Sequence, residues 1–176
     1  MREMLIQTES ESLRDLHRDV WRMAHAPEDR QRGRTFLFSI FDENPNGPTR
    51  VLVRGALLPG RHCREVDPLI AGQVYRFRVD VRAVSRDEFG ETTLPVKAIP
   101  AWMSARLNGM TVLDVRSSAL RVRPMDRNCA LGYYRVAGRV RIDDAASATA
   151  VRDNGIGRSK GFGFGMLILT PDSPQE

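Results

Sequence analysis

Three features of this sequence predict an α+β protein. The first half reads strand, helix, strand, strand, weak turn, strand. The second half mixes strands and helices again, over a similar length. The strand segments alternate apolar with charged residues, which marks sheets covered on one face. Together these features predict two tandem ferredoxin-like domains, residues 1–86 and 87–176, sharing a cleft.

The first strand is a short apolar run over residues 3–7. Thr8-Glu-Ser-Glu has the capping-box pattern, so a helix is expected from about Ser10 to Ala24, stopping before Pro27. Leu13, Leu16, Val20 and Met23 keep helical spacing and form its buried stripe. Arg14, His17 and Trp21 border that stripe, with Arg18 beside them. Residues 25–34 read as a charged loop. Strands follow over residues 35–41 and 50–58, joined by the turn cluster at 44–48. A weak helical turn is expected within residues 63–71. Residues 73–84 alternate Val74, Tyr75, Phe77, Val79 and Val81 with Arg76, Arg78 and Arg82, a half-buried strand with a basic outer face.

The polar segment at residues 85–93 holds Gly90 and marks the domain boundary. Residues 94–99 read as a strand or an extended lead-in. Pro100 stands at the first position of a helix ending at Gly109. Short strands are expected over residues 111–115 and 119–123, and a long one over 133–142. Asp143 or Asp144 caps a helix over residues 145–152. A glycine-rich loop and a last apolar strand, Met166-Leu-Ile-Leu, close the chain.

Composition narrows the partners. The net charge is +5, and only Lys97 and Lys160 among the 27 basic residues are lysines. The other 25 are arginines, which bind phosphate through a planar fork and stack on bases. That bias suits RNA; GC-rich coding produces it as well. Cys63 and Cys129 form no paired motif, and the chain has three histidines, so neither a disulfide scaffold nor a metal site is expected, and no cofactor. No apolar run reaches membrane-spanning length, and the acidic start is not a signal peptide. The expectation is a cytoplasmic protein with no membrane partner.

Residues 154–170 carry the strongest signal. Gly155, Gly157, Gly161, Gly163 and Gly165 fall within eleven residues, with Arg158 and Lys160 among them. Glycine lets backbone approach a ligand, and successive exposed N–H groups make an anion-binding concavity. The loop therefore reads as a phosphate cradle. Lys160-Gly-Phe-Gly-Phe164 also matches the start of the RNA-recognition-motif octapeptide. That motif lies on a third strand, and here too little chain follows, so the match is set aside.

The stretch from Gly155 to Pro171 resembles the C-terminal glycine loop of CRISPR repeat-RNA endoribonucleases of the Cas-six superfamily, most closely the CasE branch of type I-E Cascade. Members of that branch typically end Gly-Ile-Gly-x-x-Lys-x-x-Gly-x-Gly-Leu-Leu-x-Leu-Ala-Pro. The N-terminal half is similar too, in Leu16-His17-Arg18-Asp19-Val20-Trp21 and in Arg34-Thr35-Phe36-Leu37-Phe38.

The resemblance implies a metal-independent endoribonuclease. It would cut CRISPR repeat RNA in its stem-loop, leave 2′,3′-cyclic phosphate and 5′-hydroxyl ends, and stay bound within an RNA-guided interference complex with other subunits. His17 is then the general acid or base, a role suited to histidine. Members carry a tyrosine three residues before the helix histidine. Here that position is Arg14, which with Arg18 would stabilise charge on the phosphate. Gly155, Gly157, Arg158, Lys160, Gly161, Gly163 and Gly165 would hold RNA while the helix cuts it. A basic hairpin with Arg121, Arg123 and Arg127 would grip the stem. Two alternatives stay open: a non-catalytic RNA-binding subunit of such a complex, and an unrelated α+β protein binding other RNA or a phosphorylated small molecule.

Overall fold

The computed structural model describes residues 1–10, 12–25, 35–42, 48–60, 62–88 and 90–172. The first unit holds β1 (Arg2–Thr8), α1 (Leu13–Ala24), β2 (Phe36–Asp42), β3 (Thr49–Gly55) and β4 (Arg64–Glu65). The second holds β5 (Val74–Val81), β6 (Val84–Asp87), β7 (Gly90–Thr93), α2 (Ile99–Ser104), β8 (Met110–Ser117), β9 (Arg121–Pro124), β10 (Ala130–Ile142), α3 (Ala145–Asn154) and β11 (Ile168–Pro171).

The first sheet runs β2-β3-β1-β4 and the second β11-β5-β10-β8, all pairs antiparallel. Numbered within each unit, both orders read 4-1-3-2, the ferredoxin-like arrangement. The fold is therefore two tandem ferredoxin-like units, as the element order predicts.

The division between them differs from the expected one. The strand at Val74–Val81, expected to close the first unit, lies inside the second sheet between β10 and β11. The closing strand of the first unit is β4, two residues long, where a helical turn was expected. The chain thus changes sheet between Glu65 and Val74, earlier than residue 87. The polar stretch read as a boundary is the two-stranded hairpin β6–β7. The lead-in before α2 contains a 3₁₀ turn, Val96–Ala98, and the last strand starts at Ile168, two residues late.

Helix α1 starts at Ser12, whose hydroxyl accepts from the Asp15 amide. Thr8 and Ser10, from the predicted capping pattern, bond Asp19 at 2.9 and 2.7 Å instead and tie the end of β1 to the helix. The buried stripe is Leu13, Leu16, Val20 and Ala24; Met23 is exposed. His25, expected on the surface, is buried, stacked on Trp21 and hydrogen-bonded to the Trp21 carbonyl. The turn at residues 44–48 apart from Pro48, the charged loop after His25, and Arg34 lie outside the described residues.

Two cores result. One packs Leu13, Leu16 and Val20 of α1 against Phe38, Val51 and Val53. The other fills the second sheet with Phe77, Val79, Val81, Val136, Val140 and Ile142. A buried ion pair joins the units. Arg54 of β3 donates to Glu3 at 2.6 and 2.8 Å, and its third nitrogen donates to the carbonyls of Arg152 and Leu167. Arg64 closes the other Glu3 oxygen at 2.8 Å. No helix among the described residues is long and apolar enough to cross a membrane.

Candidate active site

The three segments singled out in the sequence meet along α1, the helix that carries His17. The first is α1. The amphipathic stripe that buries Leu13 and Leu16 leaves His17 half-buried at the edge of the helix. The second is the β9–β10 hairpin. Its turn carbonyl at Met125 accepts the Arg14 amide at 3.1 Å, satisfying one of the amides a helix start leaves open. The Arg14 side chain pairs with Asp126 of the same turn at 2.8 Å. The third is the glycine loop, whose 3₁₀ turn Lys160–Phe162 lies against α1 and β2.

His17 is held on both sides. Its Nδ1 stands 2.5 Å from the Gly161 carbonyl oxygen. Its ring lies 5.7 Å from Trp21 and 5.6 Å from Phe162, tilted to both. A carbonyl only accepts, so Nδ1 carries the proton and Nε2 keeps the lone pair in the neutral ring. That is the tautomer of a general base. His17, Arg18, Trp21 and Arg22 line an open pocket of about 300 Å³ beside it.

Four of the five loop glycines are demanded by packing. A Cβ on Gly165 would stand 2.0 Å from the Ile156 carbonyl oxygen, and its φ is +80°. A Cβ on Gly163, at φ +84°, would strike the Phe38 ring at 2.8 Å. A Cβ on Gly155 would stand 2.9 Å from Leu37, and one on Gly157 3.0 Å from Trp102, both at positive φ. The loop thus folds back on itself and onto the first sheet, with Phe164 fully buried between Phe38 and Tyr133. This arrangement carries the Gly161 carbonyl to His17, so the loop positions the histidine as well as flanking it.

The predicted basic residues fall into different settings. Arg18 is exposed and pairs with Asp15. Arg158 pairs with Glu91, and Lys160 donates to the Asn154 carbonyl at 2.9 Å. Arg121 and Arg127 are exposed on the hairpin. Arg123, expected beside them on the stem-gripping surface, is buried, its guanidinium over the Tyr133 ring and bonded to the Tyr133 hydroxyl. Alternation along β9 turns it inward, because the hairpin's inner face covers Phe164. Three relevant residues escaped sequence reasoning: Asp126, Glu91 and Ser159. Each acts through a long-range contact with no local signature. Among the described residues no group of three or more His, Cys, Asp or Glu is placed to hold a metal.

A double ferredoxin-like protein, with a first-helix histidine seated against a C-terminal glycine loop, is the class these features define. The family model described as CRISPR associated protein matches residues 2–171. The chain belongs to that family. Solved structures similar to it include the CRISPR-associated protein Cas6e from Escherichia coli K-12, 24% identical with TM-score 0.78, covering 97% of this chain and 100% of that one. Thermus thermophilus Cse3 bound to an RNA representing a pre-cleavage complex is 20% identical, TM-score 0.78, covering 97% and 98%. A chain of a CRISPR RNA-guided surveillance complex is 23% identical, TM-score 0.73, covering 97% and 100%. No curated protein matches the chain at a significant level.

Proposed function

We propose that this chain is a metal-independent endoribonuclease. It cuts precursor CRISPR RNA within the repeat stem-loop and stays on the product as a subunit of an RNA-guided complex in the cytoplasm. The contact between His17 Nδ1 and the Gly161 carbonyl carries this reading, because it presets the histidine as a base. Relatives of the same fold include Cse3 bound to RNA and a chain of a surveillance complex.

The chemistry needs few groups. Nε2 of His17 takes the proton from a ribose 2′-hydroxyl. The 2′-oxygen attacks the adjacent phosphorus, the P–O5′ bond breaks, and the 5′-oxygen takes up a proton. One proton leaves and one arrives, and the products are a 2′,3′-cyclic phosphate and a 5′-hydroxyl. Negative charge grows on the phosphoryl oxygens, and Arg14 and Arg18 are the nearby cations on the helix to meet it. Their partners Asp126 and Asp15 hold them in exposed pairs, which contribute little and yield readily to phosphate. Arg121 and Arg127, with Arg158, Lys160 and the backbone of Gly155, Gly157, Gly161, Gly163 and Gly165, are the proposed RNA-binding groups. Arg123 serves by shaping the hairpin.

The deciding experiment uses repeat RNA carrying a 2′-deoxy sugar at the scissile nucleotide, with EDTA present throughout. Binding kept and cutting lost supports the reading. Cutting of the deoxy substrate, or loss of cutting of normal RNA in chelator, overturns the mechanism. The commitment of Arg14 to Asp126, where relatives carry a tyrosine, favours one second reading: a subunit that binds RNA without cutting. A gel shift with no product under excess protein selects it.

A further inference from the structure

Beside the glycine loop lies a pair of arginines whose arrangement the cleavage chemistry leaves unexplained. Arg82, just past β5, and Arg158, in the loop, face each other in an isolated antiparallel bridge. Like charges directly opposite across such a bridge repel. Both reach the same carboxylate: Arg158 pairs with Glu91, and Arg82 lies 3.5 Å from its other oxygen. One carboxylate cannot balance two guanidinium groups, so the cluster keeps a net positive charge.

Arg82 is held in place by a second contact, and Arg158 is tied to it by the backbone bridge. Arg82 is 17% exposed, and its Nη1 donates to the Ser159 hydroxyl at 2.8 Å. Ser159 has φ +58°, and among the described residues it is the non-glycine with positive φ. A left-handed serine is uncommon and persists where its surroundings hold it. The Nε of Arg82 is buried and makes no hydrogen bond among the described residues, so a donor is left over. Glu91 is differently placed. It is exposed, on the β6–β7 hairpin, whose strands pair only with each other among the described residues. A two-stranded hairpin is marginally stable alone. Arg82 is anchored, while Arg158 and Glu91 are the more exposed members, 48% and 31%, with the anion on the two-stranded hairpin.

We propose that Arg82 and Arg158 form a seat for an RNA phosphodiester, and that Glu91 occupies it as a stand-in anion until RNA displaces it. This rests on the RNA-binding reading above and names one part of its grip. The fork geometry of two guanidinium groups suits a phosphate better than a single carboxylate. Glu91 then acts as a gate: it weakens binding to stray anions and yields to a strand held elsewhere at the same time.

The test measures affinity against salt for wild type, Glu91→Gln and Arg82→Gln. Probes are a repeat stem-loop RNA and an oligouridylate of similar length, in EDTA. Removing the stand-in exposes its cations. Glu91→Gln is expected to bind both RNAs about two- to fivefold tighter at low salt, the scale of one exposed ion pair. Its salt slope steepens by up to about 0.7–0.9, one phosphate's share. Arg82→Gln shifts both quantities the opposite way. A merely structural Glu91 predicts weaker binding or none of this change. If wild type binds repeat RNA and Glu91→Gln does not tighten, the gate is wrong and the RNA reading stands. If Glu91→Gln tightens on oligouridylate while no protein prefers the repeat, the seat stands and the repeat assignment falls. If neither RNA binds, but millimolar inorganic phosphate raises the melting temperature of Glu91→Gln, the seat serves free phosphate and the RNA assignment is overturned. If nothing binds, both are overturned.

Discussion

Nδ1 of His17 and the carbonyl oxygen of Gly161 stand 2.5 Å apart, though 144 residues separate them in sequence. The first helix and the last loop therefore build one group. A loop expected only to hold RNA also fixes the tautomer of the residue proposed to cut it.

His17→Ala is expected to lower cleavage by about 10²–10⁴-fold, the usual share of a positioned proton carrier. RNA affinity should change little, because the ring touches the loop and makes no charged pair among the described residues. Single-turnover cutting and a parallel gel shift check both halves. Equal losses in binding and cutting would place His17 in recognition.

Gly165→Ala should destabilise the protein by about 3 kcal/mol or more, since a Cβ would meet the Ile156 carbonyl at 2.0 Å. Gly72→Ala is the control. It shares a positive φ of 82° but has nothing within 4 Å of its Cβ. It should cost only the backbone strain, about 1–2 kcal/mol. Denaturant melts of the two proteins separate the collision from the strain.

Glu3 predicts the acid limb of stability. Burial alone would raise its pKa, but Arg54 and Arg64 outweigh that and hold it below the ordinary value. An unfolded glutamate titrates near about 4.3. A lowered folded pKa means the unfolded chain binds the proton first, so stability is full above that value and falls as pH drops through the folded one. Glu3→Gln should flatten this acid limb. It should also cost about 3–5 kcal/mol at neutral pH, by leaving Arg54 buried without its carboxylate. Urea melts from pH 3 to 7 test both.

The hairpin arginines should separate into two kinds. Arg121→Ala and Arg127→Ala are each expected to weaken RNA binding and flatten its salt slope by up to about 0.7–0.9. Arg123→Ala should instead lower the melting temperature, because its guanidinium packs on Tyr133 inside the core. Filter binding across a salt series, beside thermal melts, distinguishes them.

Much of this was legible in the residues. Periodicity located α1, and glycine spacing located the loop. The element order led to the ferredoxin-like units. The pairing of β5 was not legible, because alternation shows that a strand has one buried face but not which neighbour it bonds. The two residues of β4 are too few to make a pattern. Arg54 and Glu3 lie in predicted strands, and nothing local reveals that burial will join them. Arg123 failed for the same reason: its letter says surface, and only the packed hairpin turns it inward. The His17–Gly161 contact uses a backbone atom, which no side-chain motif encodes.

The thirteen-residue strand β10 is stitched into both cores. Leu131 and Tyr133 belong to the core beneath α1, and Val136, Val140 and Ile142 to that of the second sheet. A repeated fold invites dissection into halves, yet a cut between the units takes Leu131 and Tyr133 away from the core beneath α1. Separately expressed halves would each lose part of a core, and the intact chain should melt in one cooperative step. A chimera that borrows a relative's hairpin to change RNA preference must therefore carry the matching first helix with it.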